Sequence, residues 1–169
     1  SASTASVPIT AEDFPVLGIG TIALRVLYDP LIASATSVVD NLGGNLATNL
    51  TVQGLVLISW YKAPCLTGLS DNSVLFYINF NKVANGTSTL TFDYEFLVGE
   101  GCQYSCGSTI YNDSPGDTYY IPGSLTFTGI TSPVTTAPVL QACPGASISV
   151  PVTVTGFSNI CAISLHMNY

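Results

Sequence analysis

Residues that could carry out catalysis are few in this chain. It has a single histidine, His166, and a Ser-His-Asp triad would need that residue beside a serine and an aspartate. Period-two alternation places His166 on the outward side of a predicted strand. Asp93 with Glu95, or with Glu100, could form the carboxylate pair of a glycosidase, but we expect these side chains to be a solvated strand face. The sequence therefore predicts a protein that is not an enzyme.

Residues 112–117, Asn-Asp-Ser-Pro-Gly-Asp, are similar in composition to a calcium loop. This makes Asp113 and Asp117 candidate calcium ligands. The segment lacks the spacing and the terminal glutamate of an EF-hand, and turn formation by Asn and Asp explains the composition equally well. A structural zinc site needs four clustered ligands, which the single histidine and scattered cysteines do not supply. The sequence predicts no cofactor and leaves calcium open.

The number of cysteines is odd: Cys65, Cys102, Cys106, Cys143 and Cys161. Cys143 and Cys161 bracket a predicted strand at residues 146–155, and a chain reversal near Gly156 would bring them together, so we predict a disulfide there. Cys102 and Cys106 close a short loop and could also pair, with Cys65 competing for either partner. Disulfides persist in oxidising compartments, so the sequence predicts an extracellular or cell-surface location.

Six aromatic residues could form a platform for a sugar ring: Trp60, Tyr61, Tyr104, Tyr111, Tyr119 and Tyr120. Aromatic side chains also fill the cores of β-sandwiches and form cross-strand pairs. Both interpretations stay open, and surface glycans are therefore one class of partner to consider.

The charge balance excludes two other classes of partner. Three basic residues stand against 10 acidic ones, and the net charge is −7. Binding to nucleic acid and to anionic membranes depends mainly on Lys and Arg. No run of 18 apolar residues is present, so we expect no membrane span.

A partial internal repeat organises the chain. Residues 7–14 are identical to residues 150–157 at four of eight positions, at an offset of 143. After a gap of two residues, residues 19–28 are identical to residues 160–169 at four of ten positions. In both copies of this strand, the residues on the predicted inward face are apolar or aromatic, while the residues on the outward face differ. This is expected if the inward face of the strand is buried in the core.

The repeat predicts a complete unit over residues 1–130, a Thr/Pro-rich linker over 131–141 and the first two strands of a second unit over 142–169. The apolar face of those two strands cannot be buried by them alone. We therefore predict that it contacts a neighbouring repeat or protomer through Ile163, Leu165, Met167 and Tyr169.

Period-two alternation dominates the complete unit and predicts an all-β sandwich or barrel. The predicted strands cover residues 5–10, 17–28, 31–39, 55–60, 74–80, 89–94, 118–121 and 124–129. Asn85-Gly86 is a strong turn signal between two of them. No segment has a convincing helical stripe.

Four segments in order give the chain a family resemblance: IGTIALRVLYDP, GLVLISWYKAP, SVLFYINFNKVANGTSTLTFD and CQYSCGSTIYNDSPGDTYYIPGSLTFTG. Together they resemble the cohesin-like domains of bacterial extracellular proteins, above all the tandem copies in large secreted proteins of Bacteroidetes. The resemblance covers about residues 5–130 and restarts in the tail. It implies a jelly-roll β-sandwich of about nine strands, followed by the first strands of a second copy.

The resemblance also suggests a function. Bacteroidetes chains of this kind resemble surface adhesins, including filaments linked to gliding motility and exported by type 9 secretion. We therefore expect a non-enzymatic structural or adhesive repeat that forms a rod or filament. Two alternatives stay open: a cohesin-type module that binds a dockerin through one sheet face, and a carbohydrate-binding module.

Overall fold

The computed structural model describes residues 3–94, 101–129, 134–156 and 162–166. The chain divides into two compact units, Ser1–Thr128 and Gly129–Tyr169. The first unit contains these strands: β1 Thr4–Ala11, β2 Ile19–Leu27, β3 Ala33–Asp40, β4 Asn45–Asn49, β5 Leu55–Leu66, β6 Ser73–Lys82, β7 Gly86–Phe92, β8 Gln103–Cys106, β9 Thr109–Ile110 and β10 Gly123–Phe127. Its described residues include one short helix, α1, at Gly116–Tyr119.

The strands of the first unit form two antiparallel sheets. One has the order β1-β6-β3, and the other has the order β10-β7-β2-β5-β4. Strand β8 pairs with the first part of β2, and β7 pairs with its last part. The all-β prediction is confirmed.

Alternating residues of both sheets build one core. In β2, Ile22, Leu24 and Val26 are buried, while the residues between them point outward. They belong to the same buried cluster as Ile78 and Phe80 of β6 in the other sheet. Burial of such aliphatic and aromatic side chains is the main favourable term in folding. The two sheets therefore form a sandwich around a single apolar layer.

The fully buried Trp60 of β5 contacts the turn between β3 and β4. A Cβ atom at Gly44 would overlap its indole ring. Only glycine fits at this position, because the backbone approaches the ring directly.

Most predicted strands are confirmed, with differences at short elements. The predicted strand 118–121 is wrong, because helix α1 occupies Gly116–Tyr119. Pro115 in an extended conformation precedes the helix, and Asp117 lies in its first turn, a common pattern at helix starts. Strands β4, β8 and β9 were not predicted, and each is too short, at two to five residues, to show a clear alternation.

The second unit contains two described strands, β11 at Val134–Thr136 and β12 at Thr153–Thr155, which pair antiparallel. Strand β11 falls inside the predicted linker. Of the predicted tail strand 146–155, only the last three residues are in a strand. That this unit is a second copy of the first stays a prediction.

Within the described ranges, no helix is both long enough and apolar enough to cross a bilayer.

Candidate functional site

Outward-pointing residues of three neighbouring strands create a broad surface that we call the outer face. Residues directly opposite on paired strands share a face of the sheet. Tyr61 lies opposite both Thr21 and Asn45, and Ser59 lies opposite both Ala23 and Ala47. The full set is Thr21, Ala23, Arg25 and Leu27 of β2, Asn45, Ala47 and Asn49 of β4, and Leu55, Leu57, Ser59 and Tyr61 of β5.

The outer face is electrically neutral and carries exposed apolar groups. Its one charged residue, Arg25, donates from Nε to Asp93 Oδ2 at 3.0 Å. Tyr61 is 53% exposed and Leu27 is 39% exposed. A surface of small, neutral and apolar side chains loses little hydration on contact with another protein. The outer face is therefore suited to burial against a protein partner.

A second feature of the first unit is an aromatic cluster at the ends of β7 and α1. Tyr120 stacks with Tyr94 at a ring-centroid distance of 5.8 Å and with Tyr104 at 6.0 Å. The Tyr120 hydroxyl donates to Asp113 Oδ2 at 2.5 Å. Burial, together with this hydrogen bond to a carboxylate, raises the pKa of Tyr120 far above its usual range. The cluster ties the loop containing Asp113 to the body of the sandwich.

A cavity of about 400 Å³ adjoins this cluster. Tyr94, Tyr120 and both predicted calcium ligands, Asp113 and Asp117, line it. Asp113 already accepts the Tyr120 hydrogen bond. Within the described part of the chain, no group of three or more His, Cys, Asp or Glu side chains is arranged to hold a metal ion. Calcium binding at Asp113 and Asp117 stays a prediction.

The six predicted platform aromatics do not share one surface. Trp60 is fully buried and Tyr120 is 3% exposed, so both fill the core. Tyr111 donates from its hydroxyl to the carbonyl of Gly18 at 2.5 Å. Tyr61 and Tyr119 are exposed. This distribution follows the packing role of aromatic residues in sandwiches.

The residues first considered for catalysis are described only in part. Asp93 is engaged by Arg25, and Glu95 and Glu100 lie outside the described residues. His166 is exposed in the second unit.

A disulfide joins Cys65, near the end of β5, to Cys106, at the end of β8. The predicted pairing of Cys102 with Cys106 is wrong, and the competing partner Cys65 takes its place. The reason is that β5 and β8 both pair with β2. At Gly20 of β2, a Cβ atom would lie 2.9 Å from Cys65 Sγ, so the absence of a side chain there leaves room for the bridge.

Cys102 is instead a buried free thiol. Its Sγ accepts a hydrogen bond from the backbone N–H of Arg25 at 3.3 Å. Burial raises the pKa of the Cys102 thiol to about 11. The thiol is therefore protonated at neutral pH. Because the thiolate is the reactive form of cysteine, Cys102 is a packed core residue and not a reactive group.

The remaining predicted residues belong to the second unit. Cys143 is exposed, and Cys161 lies outside the described residues, so the Cys143–Cys161 disulfide stays a prediction. Ile163 and Leu165 are 54% and 52% exposed. Met167 and Tyr169 lie outside the described residues.

The chain matches no family model and no curated protein. Several solved structures are similar to it. The seventh ScaB type I cohesin from Pseudobacteroides cellulosolvens has a TM-score of 0.55 at 17% identity, covering 83% of this chain and 89% of that one. The third cohesin of ScaC from Acetivibrio cellulolyticus, solved in complex with the ScaB dockerin, has a TM-score of 0.55 at 17% identity, covering 75% and 90%.

A cohesin module from a family 33 glycoside hydrolase of Clostridium perfringens has a TM-score of 0.50 at 8% identity, covering 75% of this chain and 97% of that one. At such identities the likeness establishes the fold. This chain contains a cohesin-like jelly-roll β-sandwich, as the sequence resemblance implied.

Proposed function

We propose that this protein is a non-enzymatic, extracellular binding module that serves as a structural or adhesive repeat of a larger surface protein. The observation that carries the proposal is the neutral outer face on a sandwich with the cohesin fold. The neutralised Arg25 and the exposed Tyr61 and Leu27 are features of a surface that contacts protein. Aromatic residues are enriched where protein interfaces are buried.

The extracellular location is supported by the Cys65–Cys106 disulfide, because such bonds persist where the surroundings are oxidising. The resemblance to tandem copies in secreted Bacteroidetes proteins supports a setting in a surface adhesin or gliding filament exported by type 9 secretion. In that setting the partners are neighbouring repeats or protomers of the same protein.

A second candidate function is binding of a dockerin. The similar cohesin of Acetivibrio cellulolyticus was solved with a dockerin bound, which favours a partner of that class. Titration of the full chain with a panel of purified dockerins distinguishes the two candidates. Binding by none of them removes the dockerin candidate and leaves the structural repeat.

The outer face is tested by a matched pair of variants. Ala23→Arg places a long cation at the centre of the outer face, and Ser34→Arg places the same cation on the exposed surface of the other sheet. Copies of the chain and the dockerin panel serve as binding partners in calorimetry. We expect Ala23→Arg to weaken binding at least about tenfold, since a desolvated charge without a partner costs more than 1.4 kcal/mol. Equal binding by both variants, with unchanged thermal unfolding, would contradict the role of the outer face.

A further inference from the structure

The tail contains a second version of the first strand. Residues 147–154 read SISVPVTV, and β1, at Thr4–Ala11, reads TASVPITA. At the repeat offset of 143, four of the eight positions are identical, including Pro8 and Pro151. The four differences keep each residue's character: Ser for Thr, Val for Ile, and larger apolar residues for two alanines.

In the first unit, β1 is an edge strand whose inward residues cover β6. Among the described strands it pairs with β6 alone. Ala5 lies opposite Phe80, and Val7 lies opposite Ile78. Ile9 of β1 is 8% exposed. The position beside β6 therefore accepts a strand with apolar residues at every second position. Because this is an edge strand, the proline at the Pro8 position, which has no N–H donor, is tolerated there.

The equivalent residues of the tail are not covered. Ile148, Val150 and Val152 are 47%, 42% and 37% exposed. They correspond to Ala5, Val7 and Ile9 and follow the same period of two. Ile148 also offers more apolar surface than the alanine it matches. The tail segment thus carries the β1 sequence pattern with its inward positions exposed. In this part of the tail, Thr153–Thr155 form a strand, which pairs with β11.

We propose that residues 147–154 of one chain form a strand that displaces β1 from its place beside β6 in a second copy of this chain. In that register, Ile148 lies opposite Phe80 and Val150 opposite Ile78 of the second copy. Ser149 lies opposite Asn79, as Ser6 does in the first unit. The occupant is a second copy because the slot beside β6 is the place where the structure shows this sequence pattern buried.

Such an exchange is strand addition at a sheet edge, in which main-chain hydrogen bonds supply affinity and alternate side chains supply register. The donor surface and the acceptor surface are different, so the contact is heterologous and produces an open chain of copies unless the rotation between them closes a ring. This inference rests on the proposed function in one respect, since both assume that the tail repeats the start of the chain. The surfaces differ, because strand exchange involves the β1-β6-β3 sheet and partner binding involves the outer face of the other sheet.

The register is tested by a cross-link. In a Cys143→Ser background, Ser149→Cys and Asn79→Cys are introduced into the full chain. Light and ¹⁵N-labelled chains are mixed, unfolded in denaturant with the disulfide intact, and refolded together at high concentration. We expect a peptide that joins residue 79 of a light chain to residue 149 of a heavy chain by mass spectrometry. A cross-link found only within single chains, or none, overturns the proposal.

A matched pair of tail variants tests the same contact without cross-linking. Val150→Asp puts a charge on the inward side of the tail strand, and Ser149→Asp puts it on the outward side. Light scattering of the refolded Cys143→Ser chain should give multiples of 17.6 kDa, with Ser149→Asp unchanged and Val150→Asp monomeric. Monomers throughout, or equal assembly by both variants, overturn the proposal. The effect of Ala23→Arg on partner binding tests the outer face separately. Its outcome does not depend on whether the tail strand is exchanged between copies.

Discussion

At the scale of single residues, Tyr120 shows how the sandwich holds the loop that contains Asp113. Its ring is 3% exposed and stacks on two other tyrosines, and its hydroxyl reaches Asp113. A buried hydroxyl without a partner would be costly. The carboxylate of Asp113 satisfies it, which is a structural role that the sequence comparison with calcium loops did not suggest.

Tyr120→Phe should lower the free energy of unfolding by about 1.5–3 kcal/mol at pH 7, the usual contribution of a hydrogen bond to a charged group. The variant should also change the response to alkali. The pKa of Tyr120 is raised in the folded state, so its contribution is complete below the unfolded pKa of about 10 and is lost as the pH rises above that value.

Urea unfolding between about pH 7 and pH 11 measures both effects, since it spans the ordinary tyrosine pKa of about 10. The exposed Tyr61→Phe variant is the control, because Tyr61 is 53% exposed. If wild type and Tyr120→Phe lose stability in parallel above pH 10, the assignment of the alkaline effect to Tyr120 is wrong.

At the scale of elements, the turn between β3 and β4 is fixed by Trp60. Gly44→Ala should destabilise the first unit by about 1–3 kcal/mol, because the added methyl group overlaps the fully buried indole ring of Trp60. Gly123→Ala is the matched control, since a Cβ atom there meets nothing within 4 Å. Thermal unfolding of the two variants compares them, and equal midpoints would contradict this account.

The long strands were predictable from alternation. In most of β2 and in the second half of β6, buried residues recur at every second position, and such alternation is the main sequence signal for a strand with one buried face. Strand β4, Asn-Leu-Ala-Thr-Asn, has one clearly apolar residue and is a strand because β5 pairs with it. Tyr119 and Tyr120 suggested a strand by propensity, but the adjacent Pro115-Gly116-Asp117 sequence starts a helical turn instead.

The candidate site was less predictable than the fold. The outer face depends on which strands are neighbours, and the sequence order of β2, β4 and β5 does not reveal that they lie side by side. The same limit applies to the disulfide. Cys65 and Cys106 are separated by 41 residues, and only the pairing of both β5 and β8 with β2 brings them together, whereas local spacing favoured Cys102.

At the scale of the whole molecule, the buried residues of the core cluster all lie in the first unit, from Ile9 to Phe127. A chain shortened to residues 1–128 keeps every one of them. We expect the free energy of unfolding of the shortened chain to differ from that of the full chain by no more than about 0.5 kcal/mol, the usual effect of a surface substitution. Calorimetry compares it with the full chain, and a large loss of stability would mean that residues 129–169 contribute to the first unit.

The Cys65–Cys106 bond has a mechanical consequence under the proposed function, in which the module would bear tension at a cell surface. A covalent loop of 41 residues cannot be stretched when the ends of the module are pulled. At roughly 3.4 Å per extended residue, the disulfide reduces the extension of each unfolded module by about 140 Å. When one module in a chain of such modules unfolds under force, the chain gains less length than the number of residues in the module implies. The two surfaces that the chain joins would therefore stay closer together.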